Sequence, residues 1–155
     1  MIRAATPDDA PAVAAIWNVA IRDTLITFNP VEKTDAEVAA LITQDCLVWE
    51  EAGDVMGFAR FFPFRGGEGY RFTVEQTIML HPGGHGRGGG RALMDAICAA
   101  AKAKGMHTMF AGCSAENPEA VKFHAACGFV TVATLREVGF KFGRWIDLVL
   151  MQKDL

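Results

Sequence analysis

Between the apolar run TIMLHP and an amphipathic stretch, the chain carries HGRGGGRALM, His85 to Met94. A strand must hand over to a helix there through a turn made mostly of glycine. Gly86, Gly88, Gly89 and Gly90 have no Cβ, so the main chain can curl and approach a ligand closely. The first-turn amides of the helix lack intrahelical acceptors, and the helix dipole adds partial positive charge at the same end. A strand–glycine turn–helix of this kind suits a pyrophosphate group. The competing reading is a glycine-rich turn that binds nothing, so the rest of the chain must decide.

A chain of 155 residues, 51% of them hydrophobic, is long enough for one domain with a proper core and too short for two. Residues 1–155 are therefore expected to form a single domain. The formal net charge is −3 and there is no basic block, which removes the usual electrostatic footprint of a nucleic-acid surface. The opening MIRAATPDDA has neither a signal core nor a transit pattern, and no apolar stretch approaches membrane-spanning length. A soluble cytoplasmic protein without membrane partners is expected. Cys46, Cys98, Cys113 and Cys127 lie far apart and form no CxxC pair, which predicts buried thiols and neither disulfide nor metal.

Periodicity and punctuation predict an α/β order. Ile2 to Ala5 reads as a strand, and Thr6 with Pro7 as a helix start, followed by a buried face of Val13, Ile16, Trp17, Ala20 and Ile21. Thr34 and Glu37 form a capping box for a second helix with Val38, Leu41 and Ile42 inward. Cys46–Glu51 and Val55–Phe62 read as a hairpin turning at Gly53 and Asp54. Strands are predicted over Phe72–Leu80, His107–Cys113, Phe129–Val138 and Trp145–Gln152. Helices follow the glycine turn, up to Lys104, and begin at Asn117, ending near Cys127. The order is βααβββαβαββ: a mixed sheet of six to seven strands with about four helices.

This order and the glycine turn resemble the GNAT superfamily of acyl-CoA-dependent N-acyltransferases. The superfamily's pyrophosphate pattern Q/R-x-x-G-x-G/A falls on His85 to Gly90, with His85 in place of the usual Arg or Gln. The blocks FRGGEGYRFTVEQTIMLHP, GRGGGRAL, AENPEAVKFH and LREVGFKFGRWIDLVLMQ are similar, nearly end to end, to the branch that acetylates phosphinothricin and methionine sulfoximine or sulfone. The resemblance implies acetyl-CoA as co-substrate, no metal, and direct transfer to the α-amino group of a small amino acid. Two other readings remain: a GNAT enzyme acting on a protein N-terminus, lysine or polyamine, and a catalytically silent acyl-CoA-binding domain.

Acetyl transfer needs a base for an ammonium, a donor for the developing oxyanion and a proton for the departing thiolate. Glu75, inside the mostly apolar TVEQTIML, is the candidate base that the resemblance implies; the residues alone favour a solvent-facing glutamate on a half-exposed strand. The backbone of Ile78, Met79 and Leu80 is expected to meet the pantetheine arm along a splayed strand edge. Gly86, Arg87, Gly88, Gly89, Gly90 and Arg91 are expected around the phosphates, and Asn117 on the pantetheine arm unless it is only a helix cap. His124 lies two helical turns beyond Asn117, where related enzymes carry Tyr or His near the cofactor sulfur, and is the candidate thiolate acid by resemblance; the residue alone reads more readily as a surface or satisfied core histidine. By resemblance, Arg65, Gly66 and Gly67 match a substrate-contacting loop, with Arg71 as a carboxylate clamp. Gln76, where many relatives have His, and the Thr24–Phe28 loop depart from the branch near the expected amine pocket. The aromatic turn Phe140 to Trp145 is expected to build, with the DTLITFNP loop, a wall facing the partner of a two-fold homodimer.

Overall fold

Seven strands form one sheet in the order β1-β2-β3-β4-β5-β7-β6 in the computed structural model, which describes residues 1–42 and 44–155. The strands are β1 (Ile2–Ala4), β2 (Cys46–Glu51), β3 (Asp54–Pro63), β4 (Thr73–Leu80), β5 (Thr108–Ser114), β6 (Val130–Lys141) and β7 (Arg144–Asp154). The helices are α1 (Ala10–Asp23), α2 (Asp35–Leu41), α3 (Gly89–Ala103) and α4 (Pro118–Ala126). Element order and type follow the sequence pattern throughout. All pairings are antiparallel except β4 with β5, the two strands joined through α3.

The sheet is covered on both faces, which a chain this apolar requires. Val13, Ile16, Trp17 and Ile21 of α1 and Val38 of α2 pack on Val48 and Phe58. Leu93, Met94, Ile97 and Ala101 of α3 pack on Ala59, Phe61, Val74 and Met109. Strand alternation directs β4 accordingly: Val74, Ile78 and Leu80 join the α3 core, while Met79 packs on the α1 side.

Local boundaries differ in three places. Pro7–Asp9 is a 3₁₀ turn and α1 begins only at Ala10. Asp9 accepts from both terminal guanidinium nitrogens of Arg3 (2.8 Å each) and from the Thr6 amide (2.7 Å), so its carboxylate ties the turn to β1. The first hairpin turns at Ala52 (φ 53°) and Gly53 (φ 89°), with Asp54 already paired to Glu51. Two consecutive left-handed residues form the turn whose twist suits a hairpin. The same device at Phe142 (φ 53°) and Gly143 (φ 71°) carries β6 past the expected Val138 to Lys141 and starts β7 at Arg144, just before the expected Trp145. The capping box of α2 forms as expected: Glu37 N–H donates to Thr34 Oγ1 (3.2 Å) and Thr34 N–H to Glu37 Oε2 (2.7 Å).

Candidate active site

The parallel pairing of β4 with β5 runs from Thr73–Thr108 to Gln76–Ala111 and then stops, although β4 continues to Leu80 and β5 to Ser114. Beyond Gln76 the two strands part and leave a wedge-shaped gap in the sheet. The Phe64 amide donates to Thr73 O and the His81 amide to Met56 O, so the odd-numbered residues of β4 direct their main-chain groups toward β3. The groups of Ile78 and Leu80 consequently face the gap. Those of Met79 are spent on β3, opposite Phe58, and only its side chain reaches the cavity. The expected splayed edge exists, with Met79's backbone removed from it.

One mouth of the gap is the glycine turn. Gly86 (φ 74°) and Gly88 (φ 80°) are left-handed, and a Cβ at either would meet nothing within 4 Å. Both serve backbone curvature beside open space. The first i→i−4 bond of α3 runs from Ala92 N–H to Gly88 O, leaving the amides of Gly89, Gly90 and Arg91 without helical partners. Gly89 and Gly90 have a different reason to be glycine: a Cβ would lie 2.4 Å from the Trp49 indole and 3.1 Å from Leu80, respectively. They allow α3 to seat against the sheet, which aims those amides. The arginines are committed to the protein. Arg87 pairs with Glu51 (2.7 Å), and Arg91 bonds Asp95 (3.1 Å) and Ala126 O (2.8 Å).

The gap widens into a cavity of about 270 Å³ bordered by Glu75, Gln76, Asn117, His124 and the Ile26–Phe28 loop. Glu75 and Gln76 are consecutive and point to opposite faces, yet both reach it because the sheet is open there. Among the described residues Glu75 has neither an ion pair nor a hydrogen bond, and burial raises its carboxyl above the ordinary glutamate range. Gly112 on β5 makes room for it: a Cβ there would lie 3.2 Å from Glu75 Oε1. This glycine carried no sequence signal. Asn117 is both a cap, accepting from the Ala120 amide (3.3 Å), and a cavity residue.

His124 is buried, and its ring nitrogens are both engaged. The Ala120 carbonyl, 2.7 Å from Nδ1, can only accept, so Nδ1 carries the proton and Nε2 accepts from the Gln76 amide nitrogen at 2.7 Å. Burial pushes its pKa down. With its N–H given to a carbonyl and its other nitrogen on the Gln76 amide, His124 holds Gln76 in place in this arrangement. Cys113 lies 3.5 Å from Nδ1, and burial pushes its thiol up to about 11.

The loop expected to hold the substrate does not border this cavity. Arg65, Gly66, Gly67 and Arg71 line a second one, of about 690 Å³, with Arg60 and Lys104. Arg71 lies 3.7 Å from Glu68 and over the Phe72 ring, and Arg65 lies over Tyr70. Within one chain these arginines and Glu75 belong to different concavities. Gln76 and the Thr24–Phe28 loop, the two departures from the branch pattern, do border the Glu75 cavity. Among the described residues no group of three or more His, Cys, Asp or Glu is placed to hold a metal ion, and no helix is long and apolar enough to cross a membrane.

Residues 14–129 match the acetyltransferase (GNAT) family model. The chain is 37% identical over 160 residues to the L-methionine sulfoximine/L-methionine sulfone acetyltransferase of Salmonella typhimurium, spanning 99% of this chain and 94% of that protein. Among solved structures, the ribosomal-protein-alanine N-acetyltransferase of Brucella melitensis superposes with a TM-score of 0.96 at 35% identity, covering 100% of this chain and 99% of that one. The phosphinothricin acetyltransferase of Sinorhizobium meliloti, in complex with acetyl-CoA, superposes at 0.93 with 30% identity, covering 100% and 88%. A gap between parting strands, a helix mouth of unpaired amides and a likeness that runs from end to end agree: the chain belongs to the GNAT acetyltransferase family.

Proposed function

We propose that this protein, as one domain over residues 1–155, transfers acetyl from acetyl-CoA to the α-amino group of a small amino acid or analogue, such as methionine sulfone, methionine sulfoximine or phosphinothricin. The observation that carries the reading is the partly buried Glu75 carboxylate, without a partner among the described residues, in the same gap as the free backbone of Ile78 and Leu80. The amides of Gly86 to Arg91 hold the diphosphate, and the main-chain groups of Ile78 and Leu80 hold the pantetheine arm. Acetyl-CoA supplies an acyl thioester. Glu75 takes the proton from the substrate ammonium, directly or through water, and the neutral nitrogen attacks the thioester carbon. A free β4 amide stabilises the charge that develops on the carbonyl oxygen. The C–S bond then breaks, and the proton lost by the attacking nitrogen goes to the sulfur. Transfer is direct in a ternary complex, a reading supported by burial that pushes the thiol of Cys113, the cysteine bordering the cavity, up to about 11 and so disfavours the thiolate an acyl acceptor needs.

Arg65 and Arg71 act on the substrate carboxylate across a homodimer, since within one chain they border a different cavity from Glu75. An interface is supported by Phe140, Phe142 and Trp145, which are 53%, 57% and 64% exposed, and by exposed Val130, Val132, Leu135 and Val138 on β6, a sheet edge. Sedimentation that finds only monomer at micromolar concentration removes the dimer. The buried thiols suit a reducing compartment, which supports a cytoplasmic location.

A second reading, acetylation of a protein N-terminus, is favoured by the Brucella neighbour's name. The cavity of about 270 Å³ suits a free amino acid better than an extended peptide. CoA release measured against amino acids, sulfones, sulfoximines, phosphinothricin, polyamines and peptides decides between them. Turnover confined to peptides overturns the small-molecule reading, and CoA binding without turnover on any amine leaves only a silent domain.

A further inference from the structure

Lys141, near the end of β6, is 1% exposed, and among the described residues it has no carboxylate partner. Its ammonium donates to Thr24 O (2.6 Å), Thr27 O (2.9 Å) and Ala20 O (3.4 Å). Three donors meet three acceptors, and only the charged form supplies all three. An uncompensated buried charge is costly unless each of its hydrogens is used, so such a cage restricts where those carbonyls can lie. Two of them belong to the loop whose Ile26, Thr27 and Phe28 wall the Glu75 cavity. Gly139, two residues earlier on the same strand, has the Phe28 ring against its backbone, where a Cβ would lie 2.5 Å from the ring.

We infer that Lys141 is a specificity-determining positioning residue: from the β6–β7 hairpin it pins the 24–28 loop at a fixed height over Glu75, and so sets the size of amine the cavity admits. The inference rests on the proposed amino-acid acetylation. The loop has few other anchors. Ile26 N–H donates to the Thr24 hydroxyl, which itself donates to Ala20 O. The second reaches only α1, from which the loop leaves, and neither reaches the sheet, so among the described residues the lysine is the polar link between the middle of this loop and the sheet. The glycine turn lies on other segments, and acetyl-CoA binding is independent of the clasp.

Lys141→Met keeps the aliphatic stem and removes the donors. The expected result is a KM for the amino-acid acceptor raised about tenfold, an acetyl-CoA KM within about twofold of the parent, and weaker discrimination against a dipeptide. Hydrogen exchange should quicken at residues 25–29. If Lys141→Met does not fold, Gly139→Ala, which displaces Phe28 and leaves the ammonium, must give the same split between the two KM values. A folded variant with unchanged acceptor KM and discrimination, or with both KM values rising together, overturns the inference. A parent enzyme that acetylates no amino acid overturns the proposed function instead, and is seen before any variant is made.

Discussion

The two ends of the gap are built from different materials. The glycine turn presents main-chain amides, and what shapes it is the absence of side chains at Gly86, Gly88, Gly89 and Gly90. The acceptor end is made of side chains drawn from α1, the 24–28 loop, β4, β5 and α4. Backbone donors at a helix mouth are fixed by the helix itself and need only be uncovered. Side-chain groups must each be held by a neighbour, as His124 holds Gln76 and Lys141 holds the loop. On the proposed reading a diphosphate site can therefore keep its form while the amine site changes, and Gln76 and the 24–28 loop, two of this chain's departures, border the acceptor end.

The largest effect should come from the acceptor end. Glu75→Gln is expected to lower kcat by about 10²–10⁴-fold with the acetyl-CoA KM little changed. Because burial raises this carboxyl, the active carboxylate appears only as pH rises, so kcat/KM should climb through a pKa above the ordinary glutamate range. Initial rates across pH for parent and variant check this. A variant that keeps the parent's turnover removes Glu75 as the base.

An intermediate effect should come from the cofactor end through packing. Gly89→Ala drives a methyl into the Trp49 indole and should cost about 1–3 kcal/mol of stability, seen as a lower Tm, together with a raised acetyl-CoA KM. Gly86→Ala meets no atom, although its left-handed φ disfavours alanine, so its cost should be smaller, about 1–2 kcal/mol at most. Equal melting temperatures for the two would show that the seating of α3 on Trp49 is unimportant. The smallest effect should be that of Arg87→Ala, which removes an exposed pair with Glu51 worth about 0–1 kcal/mol. A tenfold loss of acetyl-CoA affinity, measured by calorimetry, would show that a guanidinium as well as the backbone grips the phosphates.

Most of the fold was legible in the chain because its signals are local. The Thr34–Glu37 box, the α1 and α3 stripes and the strand–glycine–helix join each depend on residues a few positions apart. The errors also have local causes. The 3₁₀ turn before α1 is tied to β1 by Arg3, and the long β6–β7 hairpin depends on positive φ at Phe142, a residue that rarely adopts it. In the site, Glu75, Asn117 and the glycines were readable. Gly112 was not, because its reason is a carboxylate on another strand, and Lys141 was not, because a lysine beside aromatics reads as exposed.

What the sequence determined by itself is the order of elements, the two-sided burial of the sheet and a helix mouth stripped of side chains, since periodicity, caps and missing Cβ atoms act within a few residues. Only the tertiary structure decided that β4 and β5 part after Gln76, that Arg65 and Arg71 border a different cavity from Glu75, and that His124 is buried with both nitrogens occupied. Those outcomes depend on strand divergence and on which carbonyl or amide meets a given side chain. Such distances are set by packing between segments remote in the chain, and no spacing along it encodes them.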